Sequence, residues 1–188
     1  MSVATIVSQS TPSGFSAIAI IRLSGPKATN IVAKISSTDV ALKHQKAELR
    51  PIYIKKKLID EAIFTAFISP RSYTGEDIVE ISCHGSPFIQ QSIIQLLLSK
   101  NCRIANAGEF TMRSFLNGKM DLSQAESVAD LISSTSESSH KIAMDHMRGG
   151  FSNDIKLLRE ELLNFASLIE LVQQFLMLCF SHLHLVQK

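Results

Sequence analysis

The periodicity of apolar residues changes character at Asn117-Gly118, and this change demands two differently built parts. Before it, short β-branched runs alternate with stretches of helical spacing, so a sheet and helices must share a core. After it, from Asp121 to Met147, there is no strand signal. Leu122, Ala125, Ala129 and Ile132 recur at three and four residues, which is one face of a helix. The expected domains are therefore 1–118 and a helical part over 119–171, with an atypical tail over 172–188.

Within the first part, Ser16 to Leu23 reads as a strand ending at Ser24-Gly25-Pro26. Pro26 suits the first turn of a helix carrying Ile31, Val32 and Ile35. Glu48–Lys57 and Leu58–Ile68 read as two strands, although no Asn-Gly turn marks their junction. Asp77–Cys83 is a further strand, and Gly85-Ser86-Pro87 opens a helix carrying Ile89, Ile93, Ile94, Leu97 and Leu98. A short segment over Cys102–Ala105 and a helix over Glu109–Leu116 complete it. In the second part, one long helix is expected to run to Gly149-Gly150, with the Ser-rich Ser133–Ser139 inside it. A second begins near Ser152 with Ile155, Leu158, Leu162, Phe165 and Ile169 on one face. Two such helices joined at a Gly-Gly predict a helical hairpin.

At 45% hydrophobic and 19% charged, the chain can bury a core. Its 19 basic and 17 acidic side chains are interspersed, which argues against a surface that wraps nucleic acid. Three cysteines at unrelated spacings, Cys83, Cys102 and Cys179, give no disulfide framework. The first residues lack the basic and apolar regions of a signal peptide. The apolar run Phe175–Phe180 is far short of the ~20 residues that span a bilayer. A cytoplasmic protein without membrane contact is expected.

Several phrases then converge: Thr11-Pro-Ser-Gly14, Ile20 to Pro26, Ser72-Tyr-Thr-Gly-Glu-Asp77, Val79-Glu80 with Cys83-His-Gly85, Ala107 to Thr111, and Phe115 to Leu122 continuing as Gln124 to Ile132. In this order and spacing the chain resembles the MnmE (TrmE) family of tRNA-modification GTPases. The resemblance implies an α+β domain, a mixed β-sheet with packed helices like the tetrahydrofolate-binding aminomethyltransferases, followed by a partial all-α hairpin. It implies 5-formyltetrahydrofolate or a related one-carbon folate as cofactor. It also implies a homodimer through the N-terminal domain, and a MnmG (GidA)-type flavoprotein and tRNA as partners in wobble-uridine modification. GTP, magnesium and potassium belong to the complete family protein.

The sequence departs from the family in two places. A phosphate-binding loop needs Gly-x-x-x-x-Gly-Lys-Ser/Thr. The only Gly-Lys, Gly118-Lys119, precedes Met120 and has Arg113 at the first glycine position, so no GTP site is expected. The family's C-terminal Cys-x-Gly-Lys is also missing. After Leu171 the chain reads Val172-Gln-Gln-Phe in place of an acidic segment, which suggests a truncation or frameshift.

The resemblance assigns folate contacts to Arg22, Glu80 and Lys119. Glu80 sits on an apolar strand, where a carboxylate can accept paired N–H bonds from a pterin. Arg22 lies inside the apolar run Ala17–Leu23, and Lys119 follows the Asn-Gly turn. Cys83-His84 has no second pair to complete a metal cluster, and adjacent strand residues point to opposite faces. His140 and His146 do not share a helix face, and His182 and His184 fall in the tail. Glu109 and Phe110 suit capping and packing beside the pocket. No acid–base or nucleophile constellation is legible, which favours a binding and dimerisation module. The alternatives are a stand-alone one-carbon transferase and a purely structural fragment.

Overall fold

A computed structural model describes residues 4–36 and 40–186, with side chains described as far as residue 177. The side chains of Cys179, His182 and His184 lie outside the described residues. The chain forms two compact units, residues 1–121 and 122–188.

The first unit is α+β. Its elements run β1 (Ile6–Gln9), β2 (Ile18–Ser24), α1 (Ala28–Ile35), β3 (Ala47–Ile54), β4 (Lys57–Phe67), β5 (Ile78–His84), α2 (Pro87–Leu98), β6 (Arg103–Ile104) and α3 (Glu109–Leu116). The strands form one sheet in the order β3-β4-β5-β2-β1-β6. Every pairing is antiparallel except β1 with β6, so the sheet is mixed. Strand β1 is absent from the sequence expectation because only Ile6 and Val7 of its four residues are apolar, too few to show a period of two. Helix α1 begins at Ala28, leaving Pro26 in the turn before its cap.

Alternation along β2 and β5 sorts the side chains. Ala19, Ile21, Leu23, Val79, Ile81 and Cys83 are buried in one core with Ile31, Val32 and Ile35 of α1 and Ile93 and Leu97 of α2. Arg22 and Glu80, one residue out of phase, therefore stand on the opposite face of the sheet.

The β3–β4 junction falls at Lys55-Lys56, where the pairing closes at Ile54 and Lys57. Both loop residues are left-handed, with φ of 48° and 67°. This is the pattern of a type I′ hairpin turn, built here without the Asn-Gly that such turns favour.

The second unit corrects the expected pair of long helices. Three helices occur: α4 (Leu122–Ser133), α5 (Glu137–Met147) and α6 (Gly150–Val186). The Ser-rich segment ends one helix and starts the next. Ser133 Oγ and Ser134 Oγ donate to the carbonyls of Asp130 and Leu131, at 3.2 and 2.8 Å. Ser136 then caps α5. Its hydroxyl accepts from the Ser139 N–H, and the Ser139 hydroxyl accepts from the Ser136 N–H, both at 3.2 Å. Serine competes for backbone bonds in this way, so a serine cluster is a better helix boundary than helix interior. Gln124 Nε2 donates to the Met147 carbonyl at 3.0 Å, which sets α4 and α5 antiparallel. Gly149, at φ 86°, ends α5 and lets α6 begin. On α6, Ile155, Leu158, Leu162, Phe165 and Ile169 are exposed. Among the described residues no helix is long and apolar enough to cross a membrane.

Candidate functional site

Arg22 on β2 and Glu80 on β5 are direct cross-strand neighbours. Arg22 Nε and Nη2 both donate to Glu80 Oε1, at 2.9 and 2.6 Å. Their side chains keep 31% and 27% of their surface exposed, so the pair is open to a ligand. Glu80 Oε2 and Arg22 Nη1 have no hydrogen-bond partner among the described residues. The pair thus offers one spare acceptor and one spare donor toward solvent. The Arg22 guanidinium carbon lies 6.0 Å from the Tyr73 ring centre and 5.8 Å from that of Phe110. Both distances are within reach of cation–π attraction.

Tyr73 and Phe110 are held by contacts between the loop after β4 and helix α3. Ser114 Oγ donates to the Tyr73 carbonyl at 2.5 Å, and Asn117 Nδ2 to the Thr74 carbonyl at 2.7 Å. The Tyr73 and Thr111 hydroxyls share a hydrogen bond of 2.9 Å. Beneath them Arg113, buried, bridges Glu76 at 2.9 Å and Glu109 at 3.0 Å, and also donates to the Ala4 carbonyl. Glu109 further accepts from Arg103 at 2.5 Å and from the Asn106 N–H at 2.8 Å. The Arg103 hydrogen bond, with help from the Asn106 N–H and Arg113, holds the buried Glu109 carboxyl down at about 2. Glu76 also accepts from the Ser24 hydroxyl at 2.7 Å. Sequence reasoning missed Glu76 and Arg113. The available signal was Glu109 and Arg113 four residues apart on one helix, a spacing that pairs opposite charges.

Lys119 stands elsewhere. Its Nζ donates to the Pro70 carbonyl at 3.0 Å. It lines a surface cavity of about 640 Å³ with Pro26, Ser69, Pro70, Gly75, Glu76, Asp77 and Asn117. Arg22 and Glu80 are not in that lining. The structure therefore joins two of the three sequence-derived residues directly. The loop carrying Tyr73 and Glu76 connects them to the third. Gly75, at φ 77°, holds a left-handed conformation that favours glycine, and a Cβ there would make a tight 3.2 Å approach to Asn117 Cβ.

Cys83 is buried, and burial pushes its thiol up to about 11. His84 is exposed and shares a 2.6 Å contact between Nδ1 and Oδ1 of the buried Asp60. Among the described residues no group of three His, Cys, Asp or Glu side chains is arranged to hold a metal.

Residues 5–119 match the family described as GTP-binding protein TrmE N-terminus, and residues 122–175 match the MnmE helical domain. Relatives named tRNA modification GTPase MnmE are 59% identical over 176 residues in Christiangramia forsetii and 60% identical over 176 residues in Flavobacterium johnsoniae. These alignments cover 91% of this chain and 37% and 38% of the relatives. A relative of the same name in Bacteroides fragilis is 50% identical over 165 residues, covering 85% of this chain and 36% of its own length. The chain thus spans little more than a third of the length of the curated relatives it matches. With the α+β first unit, the helical second unit and both family matches in sequence order, the chain belongs to the TrmE (MnmE) family.

Proposed function

We propose that this chain binds a one-carbon tetrahydrofolate, 5-formyltetrahydrofolate in the first instance, and pairs with a second copy of itself as part of a tRNA-modifying system. The observation that carries the folate reading is the unfilled hydrogen-bonding capacity of the Arg22–Glu80 pair. A pterin presents N–H donors beside a carbonyl acceptor along one edge. Glu80 Oε2 suits the donors and Arg22 Nη1 the acceptor, and charge-assisted bonds of this kind are the strong ones. The rings of Tyr73 and Phe110 supply flat apolar surface beside the pair. The bound folate would supply the one-carbon unit, while these residues bind and orient it. Lys119, beside the connecting loop, is taken as the contact for a more distant carboxylate or carbonyl of the same ligand, as the family resemblance implies.

The pairing of two copies is supported by apolar side chains on the sheet face that carries Glu80. Leu49, Ile63 and Ile18 there are 66%, 45% and 59% exposed. A second copy would cover such exposed apolar side chains. The complete system, acting on the wobble uridine of tRNA in the cytoplasm with a flavoprotein partner, is inferred from the family. GTP, magnesium and potassium would enter through segments of the longer relatives, because this sequence carries no phosphate-binding loop.

Isothermal titration of the chain with 5-formyltetrahydrofolate tests the folate reading. Heat of binding is expected for the natural chain, and its loss is expected in Glu80→Ala. Equal affinity of the two proteins would sink the proposal.

A further inference from the structure

We infer that the tip of the β3–β4 hairpin, Lys55-Lys56-Lys57, is a contact for the phosphate backbone of RNA. Three consecutive cations are exposed at this tip. None of them forms an ion pair among the described residues. The segment from Tyr53 to Ile59 contains no acidic residue. The nearest carboxylates in the hairpin are already engaged or set apart. Glu48 pairs with Arg50, buried Asp60 is held by His84, and Glu61 lies opposite Pro51. The local field at the tip is therefore positive although the whole chain carries only +2.

The backbone gives a second, independent observation. Lys55 and Lys56 occupy left-handed conformations at 48° and 67°. Side chains with a Cβ are disfavoured there, and Asn-Gly would make the same turn without strain. A strained turn that places two lysines at an exposed point suggests that the charges are used. Tyr53, partly exposed and paired with Leu58 just below the tip, adds a ring on which an unpaired base can stack. Phosphate contacts of this kind position a nucleic acid without reading its sequence. RNA is the polyanion at hand, since the relatives are named for tRNA modification. The inference uses none of Arg22, Glu80 or Lys119, so it stands apart from the folate reading.

The test replaces Lys55→Asn and Lys56→Gly together in the whole chain. Binding to an unmodified tRNA transcript is followed by fluorescence anisotropy over a salt series, beside anionic phospholipid vesicles. The natural chain is expected to bind tRNA with a steep salt dependence. The Asn-Gly variant should bind roughly tenfold more weakly at low salt, with a logarithmic salt slope shallower by about 2. Its unfolding temperature should not fall, because the new residues suit the turn, and its folate titration should be unchanged. The companion variant Lys55→Arg with Lys56→Arg should keep both the affinity and the slope. No detectable tRNA binding by the natural chain, an unchanged slope in the Asn-Gly variant, or tighter binding to vesicles than to tRNA would each overturn the inference.

Discussion

Arg22 directs two N–H donors at a single oxygen of Glu80, Oε1, and leaves Oε2 open to an incoming ligand. The pair neutralises itself across two strands without closing the site. Its flat guanidinium, beside Tyr73 and Phe110, is the part that an ammonium cannot imitate.

Arg22→Lys keeps the charge and loses the planar fork. Folate affinity is expected to fall by roughly one to two orders of magnitude, the loss of one charge-assisted hydrogen bond. Circular dichroism should stay unchanged. Calorimetric titration of the variant checks this, and an affinity equal to that of the natural chain would remove Arg22 from the site.

The Glu109 carboxyl is held at about 2, below its ordinary value of 4.5, chiefly by the hydrogen bond from Arg103. A depressed carboxylate adds stability above the unfolded value and loses it as pH falls toward the folded one. Unfolding midpoints in urea should therefore decline as the pH is lowered from about 4.5 toward 2. Glu109→Gln should lower stability near neutrality and flatten that decline. A natural chain whose stability is level across this window would contradict the network described here.

Ile63→Glu places a charge beside its exposed cross-strand neighbour Leu49. The first unit should fold as before, because the side chain is not in the core. Sedimentation velocity is expected to show a dimer for the natural chain and a monomer for the variant. A monomeric natural chain, or identical sedimentation of the two proteins, would contradict pairing through this face.

Ser136→Ala removes the hydroxyl that accepts from the Ser139 N–H and leaves the other half of the capping box, the Ser136 N–H donating to the Ser139 hydroxyl, in place. A loss of about 1 kcal/mol is expected, typical of a helix cap. Hydrogen exchange across 134–140 should accelerate while the sheet stays protected. Unchanged exchange there would show that the cap contributes little.

How far the sequence foretold this arrangement depended on the length of each signal. Strands of seven residues or more and helix α3 announced themselves through period and turn residues. Strand β1 did not, because Ile6 and Val7 are too few to show alternation and it is completed by a partner far along the chain. The Ser134–Ser136 break falls in a run without apolar residues between Ile132 and Ile142, which leaves the helix boundary unmarked by periodicity. There the hydroxyls decided the boundary, and apolar periodicity does not register them. The hairpin turn was unreadable for another reason, since Lys55-Lys56 adopts a conformation its residue types disfavour. At the site, Glu80 and Arg22 were found one by one, and register alone made them a pair. Glu76 was missed because its partners come from β2 and α3, remote in sequence.

The parallel pairing of Ile6 with Arg103 and of Val7 with Ile104 also orders events in time. During synthesis β1 can pair with β2 almost as soon as both leave the ribosome. Its other edge stays bare until the chain has grown past Ile104. Only then can β6 cover that edge and Arg113 reach the Ala4 carbonyl. Contacts between such distant segments close slowly and leave strand edges open to wrong partners meanwhile. A nascent chain paused before Ile104 would therefore present the bare outer edge of β1 to the chaperones of the cell.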